Sequence, residues 1–141
     1  NASGLRVEYA MDGDSVVARF TPAAEHQGYP GFCHGGILTS LLDETAGRAA
    51  MLRHVWVMTV KLEVKFRQPV RTGQPLTIRG RAVRWKGRLF EGRAAVELPD
   101  GSVAAEAHGL FARLPEALAK EASANYPGFE RFWEETDLRP R

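Results

Sequence analysis

Residues 35 to 53 read Gly35-Gly36-Ile37-Leu38-Thr39-Ser40-Leu41-Leu42-Asp43-Glu44-Thr45-Ala46-Gly47-Arg48-Ala49-Ala50-Met51-Leu52-Arg53, the one long stretch of the chain with helical spacing. Set at 100° steps, Leu38, Leu41, Leu42, Thr45 and Ala49 fall on one side, an apolar stripe suited to packing on a sheet. The remainder is strand-like, so this single helix has to cover whatever sheet forms.

On its C-terminal side, Val57 to Phe66 alternates strictly. Met58, Val60, Leu62, Val64 and Phe66 take one face, and Thr59, Lys61, Glu63 and Lys65 take the other, which is solvated. Leu76 to Trp85, Leu89 to Leu98 and Val103 to Arg113 follow, parted by the turn signals Arg71-Thr72-Gly73-Gln74, Lys86-Gly87-Arg88 and Pro99-Asp100-Gly101, and predict an antiparallel meander. On its N-terminal side, Leu5 to Ala10 and Ser15 to Phe20 flank Met11-Asp12-Gly13-Asp14 and predict an opening hairpin. Thr21 to Cys33, with Pro22, Gly28, Pro30 and Gly31, reads as a loop leading into the helix. A short helix is expected from Pro115, with Tyr126, Phe129, Phe132 and Trp133 packing onto the body as an aromatic tail. The layout is α+β, a sheet with one face wrapped around one helix. Such a sheet keeps its edges, which a protein of this size protects by pairing with another copy.

The 141 residues fit one domain over 1–141, with 115–141 as a C-terminal extension. At 44% hydrophobic and 26% charged, the composition is that of a soluble globular protein. No apolar run approaches the roughly 20 residues that cross a bilayer. Asn1 rather than Met opens the chain, and no basic region leads into an apolar signal core, so cytoplasmic residence is expected. A net charge of +2 is too balanced to argue for nucleic acid and suits a small anionic ligand. The single cysteine, Cys33, excludes an intramolecular disulfide and a thiolate metal site.

The stretch that carries chemistry runs from His26 to Ile37, with Asp43 following in the helix. Two glycines at a helix start are poor helix formers and need a reason. Either they let backbone N–H groups at the positive end of the helix dipole approach a negatively charged oxygen, or they let the loop turn tightly against the sheet. Asp43 projects about opposite the leucine stripe, among Gly36, Ala46, Gly47 and Ala50, all small. A carboxylate on such a face points to a substrate or a partner subunit approaching there. Glu44 sits four residues before Arg48 and reads as a solvated ion pair. His34 has three possible roles: general base, donor to a substrate, or a histidine that fixes its loop. His26, His54 and His108 show no metal-ligand spacing, so no metal is expected. Cys33 reads as buried filler rather than a nucleophile. The glycine-rich loop lacks the Gly-Lys-Ser/Thr ending of a nucleotide P-loop, and Gly-x-Ser-x-Gly is absent.

These residues resemble the hotdog-fold acyl-CoA thioesterases, in the branch that includes the phenylacetic-acid-pathway thioesterase. The likeness rests on Gly31-Phe32-Cys33-His34-Gly35-Gly36, on Leu42-Asp43-Glu44 nine residues beyond His34, on Thr59, on Phe66-Arg67-Gln68-Pro69-Val70, and on Asp100-Gly101 before the last strand. It covers roughly Val16 to Phe111. It implies an antiparallel sheet around a central helix, dimers joined edge to edge and often tetramers, and sites at the dimer interface. Asp43 would then be general base or nucleophile in acyl-CoA hydrolysis, and the Gly35 N–H would hold the thioester oxygen. Thr59, coming from the partner subunit, would help place the water, and His34 would position the loop or bond near the thioester. Many relatives carry Asn or Gln six residues before the motif histidine. Gly28 stands there in this chain, and the Tyr29-Pro30-Gly31 stretch would bring Gln27 to the same spot. His26 and Gly36 join as substrate contacts, and Lys86 and Arg88 are candidates for the coenzyme's phosphates. No cofactor beyond the coenzyme A of the substrate is implied. Two rivals differ in what they need: an acyl-thioester hydratase or dehydratase requires the His34 ring, and a non-catalytic acyl-CoA-binding module tolerates loss of Asp43.

Overall fold

The computed structural model describes residues 3–125. Six antiparallel strands form one sheet: β1 Glu8–Asp12, β2 Ser15–Phe20, β3 Val57–Phe66, β4 Leu76–Lys86, β5 Leu89–Glu97 and β6 Val103–Arg113. Their order across the sheet is β1-β2-β4-β5-β6-β3. Helix α1, Gly35–Arg48, lies against one face, and α2, Glu116–Asn125, follows β6. This is the α+β hotdog architecture that the sequence predicts. The Ala119 N–H bonds the Pro115 carbonyl, so α2 opens at the expected proline. The aromatic tail from Tyr126 lies outside the described residues.

The stripe Leu38, Leu41, Leu42, Thr45 and Ala49 is buried against the sheet as its spacing requires. The buried arc is wider than the stripe, however, because Ala46 and Ala50 are also fully buried. They belong to the sheet contact rather than to an open face, which leaves Asp43 at the margin of the arc. Two glycines make this approach possible. A β-carbon on Gly80 would stand 2.5 Å from the Thr45 carbonyl oxygen, and one on Gly92 would stand 2.9 Å from that of Ala46. The α-helix ends at Arg48 rather than Arg53. The Ala49 N–H is shared between the Ala46 and Gly47 carbonyls, and residues Ala49–Arg53 tighten into a 3₁₀ turn that His54 stops at φ 53°.

The hairpin β1–β2 turns on Gly13-Asp14 alone, so β1 runs through Asp12 and starts later than expected. β4, β5 and β6 form the predicted meander. β3 does not join it beside β4 but pairs with β6 at the opposite edge. The connection from Arg67 to Pro75 is too long for a tight hairpin and is tied elsewhere: Cys33 N–H bonds Val70 O, Thr72 N–H bonds Gly31 O and Gly73 N–H bonds Pro22 O. The Thr21–Cys33 loop is correspondingly ordered, with a 3₁₀ turn at Ala24–His26 and an antiparallel bridge between Gln27 and Cys33.

The strict alternation of β3 is broken. A bulge between Thr59 and Lys61 leaves Val60 without a partner, so Thr59 lies opposite Phe111 and Lys61 opposite Leu110. Phe111 is buried on the helix side. Thr59 therefore faces the helix instead of sharing the solvated face with Lys61, as simple alternation has it.

Candidate active site

His34 is the N-cap of α1. Its Nδ1 accepts the Gly36 N–H at 2.8 Å, and its carbonyl accepts the Ile37 and Leu38 N–H groups. Of the first-turn donors, that leaves the Gly35 N–H with no acceptor among the described residues, at the positive end of the helix dipole. A β-carbon on Gly36 would stand 2.9 Å from His34 Nδ1, whereas one on Gly35 would meet only the Phe66 ring at an ordinary 3.5 Å. The two glycines differ in what surrounds them. Gly36 makes room for the capping ring, and Gly35 presents a free donor.

The loop before the helix is braced from within. The Gln27 side-chain oxygen accepts the Gly31 N–H at 3.1 Å, so Gln27 holds the turn at Tyr29-Pro30-Gly31-Phe32, where Gly31 takes φ 82°. His26 packs its ring on Phe20, accepts the Ala23 N–H at Nδ1, and gives its carbonyl to the His34 N–H. A β-carbon on Gly28 would stand 3.1 Å from the His34 ring, so that glycine lets the loop lie against the cap. Cys33 is half-buried, which pushes its thiol up, away from the reactive thiolate.

Asp43 sits two turns further along α1. Thr59 Oγ1 donates to Asp43 Oδ1 at 2.9 Å within the same chain. The bulge in β3 produces this contact, so Thr59 and Asp43 reach any site together, from the same chain. A pocket of about 170 Å³ opens beside the pair, walled by Gly47, Met51, Val55, Val57 and Phe111. No sequence signal marks these residues as one wall, because Phe111 on β6 joins the stretch from Gly47 to Val57 only through tertiary packing. Glu44 and Arg48 form the expected pair at 2.7 Å, but Arg48 is largely buried and also covers the Tyr9 ring at 4.0 Å. Lys86 and Arg88 lie on the β4–β5 turn and do not line this pocket. Among the described residues, no three His, Cys, Asp or Glu side chains converge as a metal ion needs.

Gly35 and Asp43 are eight residues apart on one helix, about 12 Å at 1.5 Å per residue. One chain thus carries an anion-ready N–H and an oriented carboxylate too far apart to act on one carbonyl. The family model of the thioesterase superfamily matches residues 30–105, a span that holds both.

The chain belongs to the thioesterase superfamily.

Within that superfamily it is 30% identical over 116 residues to the acyl-coenzyme A thioesterase THEM4 of Mus musculus, a match covering 79% of this chain and 50% of the relative. The chain spans about half the length of the curated relatives it matches first. Among solved structures, the Escherichia coli PaaI protein, from the phenylacetic acid degradation operon, superposes with a TM-score of 0.74 at 21% identity, covering 81% of this chain and 83% of that one. The TT0310 protein of Thermus thermophilus does so with a TM-score of 0.69 at 26% identity, covering 80% and 94%. The likeness to PaaI is one of fold.

Proposed function

We propose that this chain hydrolyses acyl-coenzyme A thioesters to the free acid and coenzyme A, in sites each built from two copies. The observation that carries the reading is the carboxylate of Asp43, oriented by Thr59, on a helix whose first N–H at Gly35 is free. Hydrolysis of a thioester needs both. Water gives a proton to Asp43 as its oxygen adds to the thioester carbon, or the carboxylate adds first and water opens the resulting anhydride. Negative charge on the carbonyl oxygen is met by the Gly35 N–H. In the first course the C–S bond breaks from the water adduct, in the second it breaks to leave the anhydride before water arrives, and in both sulfur leaves with the electron pair and takes up a proton. No cofactor enters these steps. The name of the mouse relative supports acyl-coenzyme A as the carrier.

The second copy follows from the 12 Å gap. β3 is a free edge, and Met58, Val60 and Phe66 on it are about half exposed. The Phe66 ring, at one end of β3, lies 3.5 Å from where a β-carbon on Gly35 would stand, and Thr59 bonds Asp43 at the other end. Antiparallel pairing of two β3 edges about their middle sets the Gly35 end of each copy beside the Asp43 end of the other. The unit is a dimer or a pair of dimers, and its one cysteine, thiol intact, suits the cytoplasm. A histidine-driven hydration is disfavoured by the engagement of His34 Nδ1 in the helix cap.

Mixing two inactive variants tests the arrangement. Asp43→Asn removes the anion, and Gly35→Pro removes the N–H at the first helical position, where proline is tolerated. Each alone loses about 10² or more in turnover. Unfolded and refolded together in equal amounts, they regain about a quarter of wild-type activity, because half the dimers are mixed and each mixed dimer holds one intact site. No recovery from well-folded mixed dimers rejects the shared site. Full activity in Asp43→Asn rejects the role given to that carboxylate, and no release of thiol by the wild type from any acyl-coenzyme A of a panel rejects the hydrolytic reading itself.

A further inference from the structure

The face of the sheet turned away from α1 carries a row of direct cross-strand partners: Ser15 on β2, Arg81 on β4, Arg93 on β5 and His108 on β6. Two guanidinium-bearing side chains thus stand opposite each other, with β-carbons about 5 Å apart, an arrangement that is destabilising for like charges. Glu63, Glu97 and Glu106 share the cleft wall, and the charge of Glu106 is felt by Lys65 and Arg93, but each of these acids makes its close ion pair with another cation. Glu97 and Asp12 meet Arg79 at 3.7 and 2.7 Å, Glu106 meets Arg67 at 2.6 Å, and Glu63 meets Lys61 at 3.4 Å. Among the described residues, no carboxylate comes within 4.0 Å of a charged nitrogen of Arg81, Arg93 or Lys65. All three line a cleft of about 480 Å³, kept open by the small side chain of Ala95. That volume falls in the usual range of small-molecule sites. The sheet separates the cleft from Asp43, which lies on the helix side.

We infer that this cleft binds a small multivalent phosphate-bearing anion, held by Arg81 and Arg93 with Lys65 beside them. The planar guanidinium fork gives paired hydrogen bonds to phosphate oxygens, and two forks on adjacent strands span two linked phosphoryl groups. A bound anion also removes the cost of the like-charge pair. Its source is either a free polyphosphate or the phosphates of a coenzyme.

Inorganic pyrophosphate is the probe, against sodium chloride at matched ionic strength, with thermal melts and titration calorimetry on the full chain. Three proteins are compared: wild type, the double variant Arg81→Gln with Arg93→Gln, and Arg84→Gln, whose arginine pairs with Glu91 on the same face. Pyrophosphate is expected to raise the melting temperature of wild type and Arg84→Gln beyond chloride. Its affinity is expected to fall at least about tenfold in the double variant, from loss of charge-assisted hydrogen bonds. Without anion, the double variant melts no lower than wild type, since it has lost a repulsion. Displacement of pyrophosphate by coenzyme A but not by pantetheine assigns the site to a coenzyme's phosphates; no displacement by either assigns it to free polyphosphate, and both results uphold the site. Equal effects of pyrophosphate and chloride overturn it, as does unchanged affinity in the double variant. A lower particle mass of the double variant by light scattering also overturns it, making this face a subunit contact. None of these readouts depends on hydrolysis, so the site stands or falls apart from the proposed reaction.

Discussion

Gly36 is glycine because the His34 ring lies over it, 2.9 Å from where a β-carbon would stand. Gly36→Ala pushes that ring away and breaks the cap, at a cost of about 1 kcal/mol. Gly35→Ala keeps its N–H, meets the Phe66 ring at an ordinary distance and gains helix propensity. Urea unfolding of the two variants is expected to show Gly36→Ala the less stable, and the reverse order would refute the assigned duties. In the proposed reaction Thr59 acts through Asp43, as a positioning residue. Thr59→Ala is expected to lower kcat about tenfold with KM little changed, and Thr59→Ser to restore it, because serine keeps the donor. A rise in KM alone would instead place the hydroxyl on substrate.

At the scale of elements, β1 clamps α1 through Tyr9. Burial pushes its phenol up to about 12, with the Glu44 charge adding to the shift and Arg48 and Thr45 opposing it. A group whose folded pKa is raised gives stability that is fully present below its unfolded value, near 10, and lost as pH climbs through 12. Denaturant titrations of wild type and Tyr9→Phe between pH 9 and 12 are expected to diverge, with wild type losing stability faster. Parallel curves would mean that the phenol does not ionise on unfolding. β3 has its own device. The extra residue Val60 is absorbed by the bulge, which keeps Thr59 on the helix side while Lys61, Glu63 and Lys65 stay outside.

For the whole molecule, the exposed apolar edge of β3 calls for a partner strand. Val60→Lys places a charge on that edge and is expected to give an inactive species sedimenting as a monomer. A fully active monomer, from this variant or from dilute wild type, would sink the shared site. The two faces of the sheet are also unlike. One is closed by α1, and the other is a field of ion pairs around the Arg81 and Arg93 cleft.

The one-helix, antiparallel architecture was legible in the amino-acid order alone, because periodicity reports directly which side of an element is buried, and the stripe from Leu38 to Ala49 and the meander from Leu76 to Arg113 are strongly periodic. That order also marked His34, Gly35 and Asp43, since glycines at a helix start and a carboxylate within the helix demand a reason. The contact between Thr59 and Asp43, the place of β3 beside β6 and the pocket wall were decided only by tertiary structure. A bulge forms when the facing strand fixes the register, and periodicity cannot show which residue will go unpaired. The neighbour of β3 depends on where the Arg67–Pro75 connection is tied, to loop carbonyls more than thirty residues earlier in the chain. Lone pairs and N–H groups that meet across such distances leave no local pattern, so their partners exist only once the chain has folded.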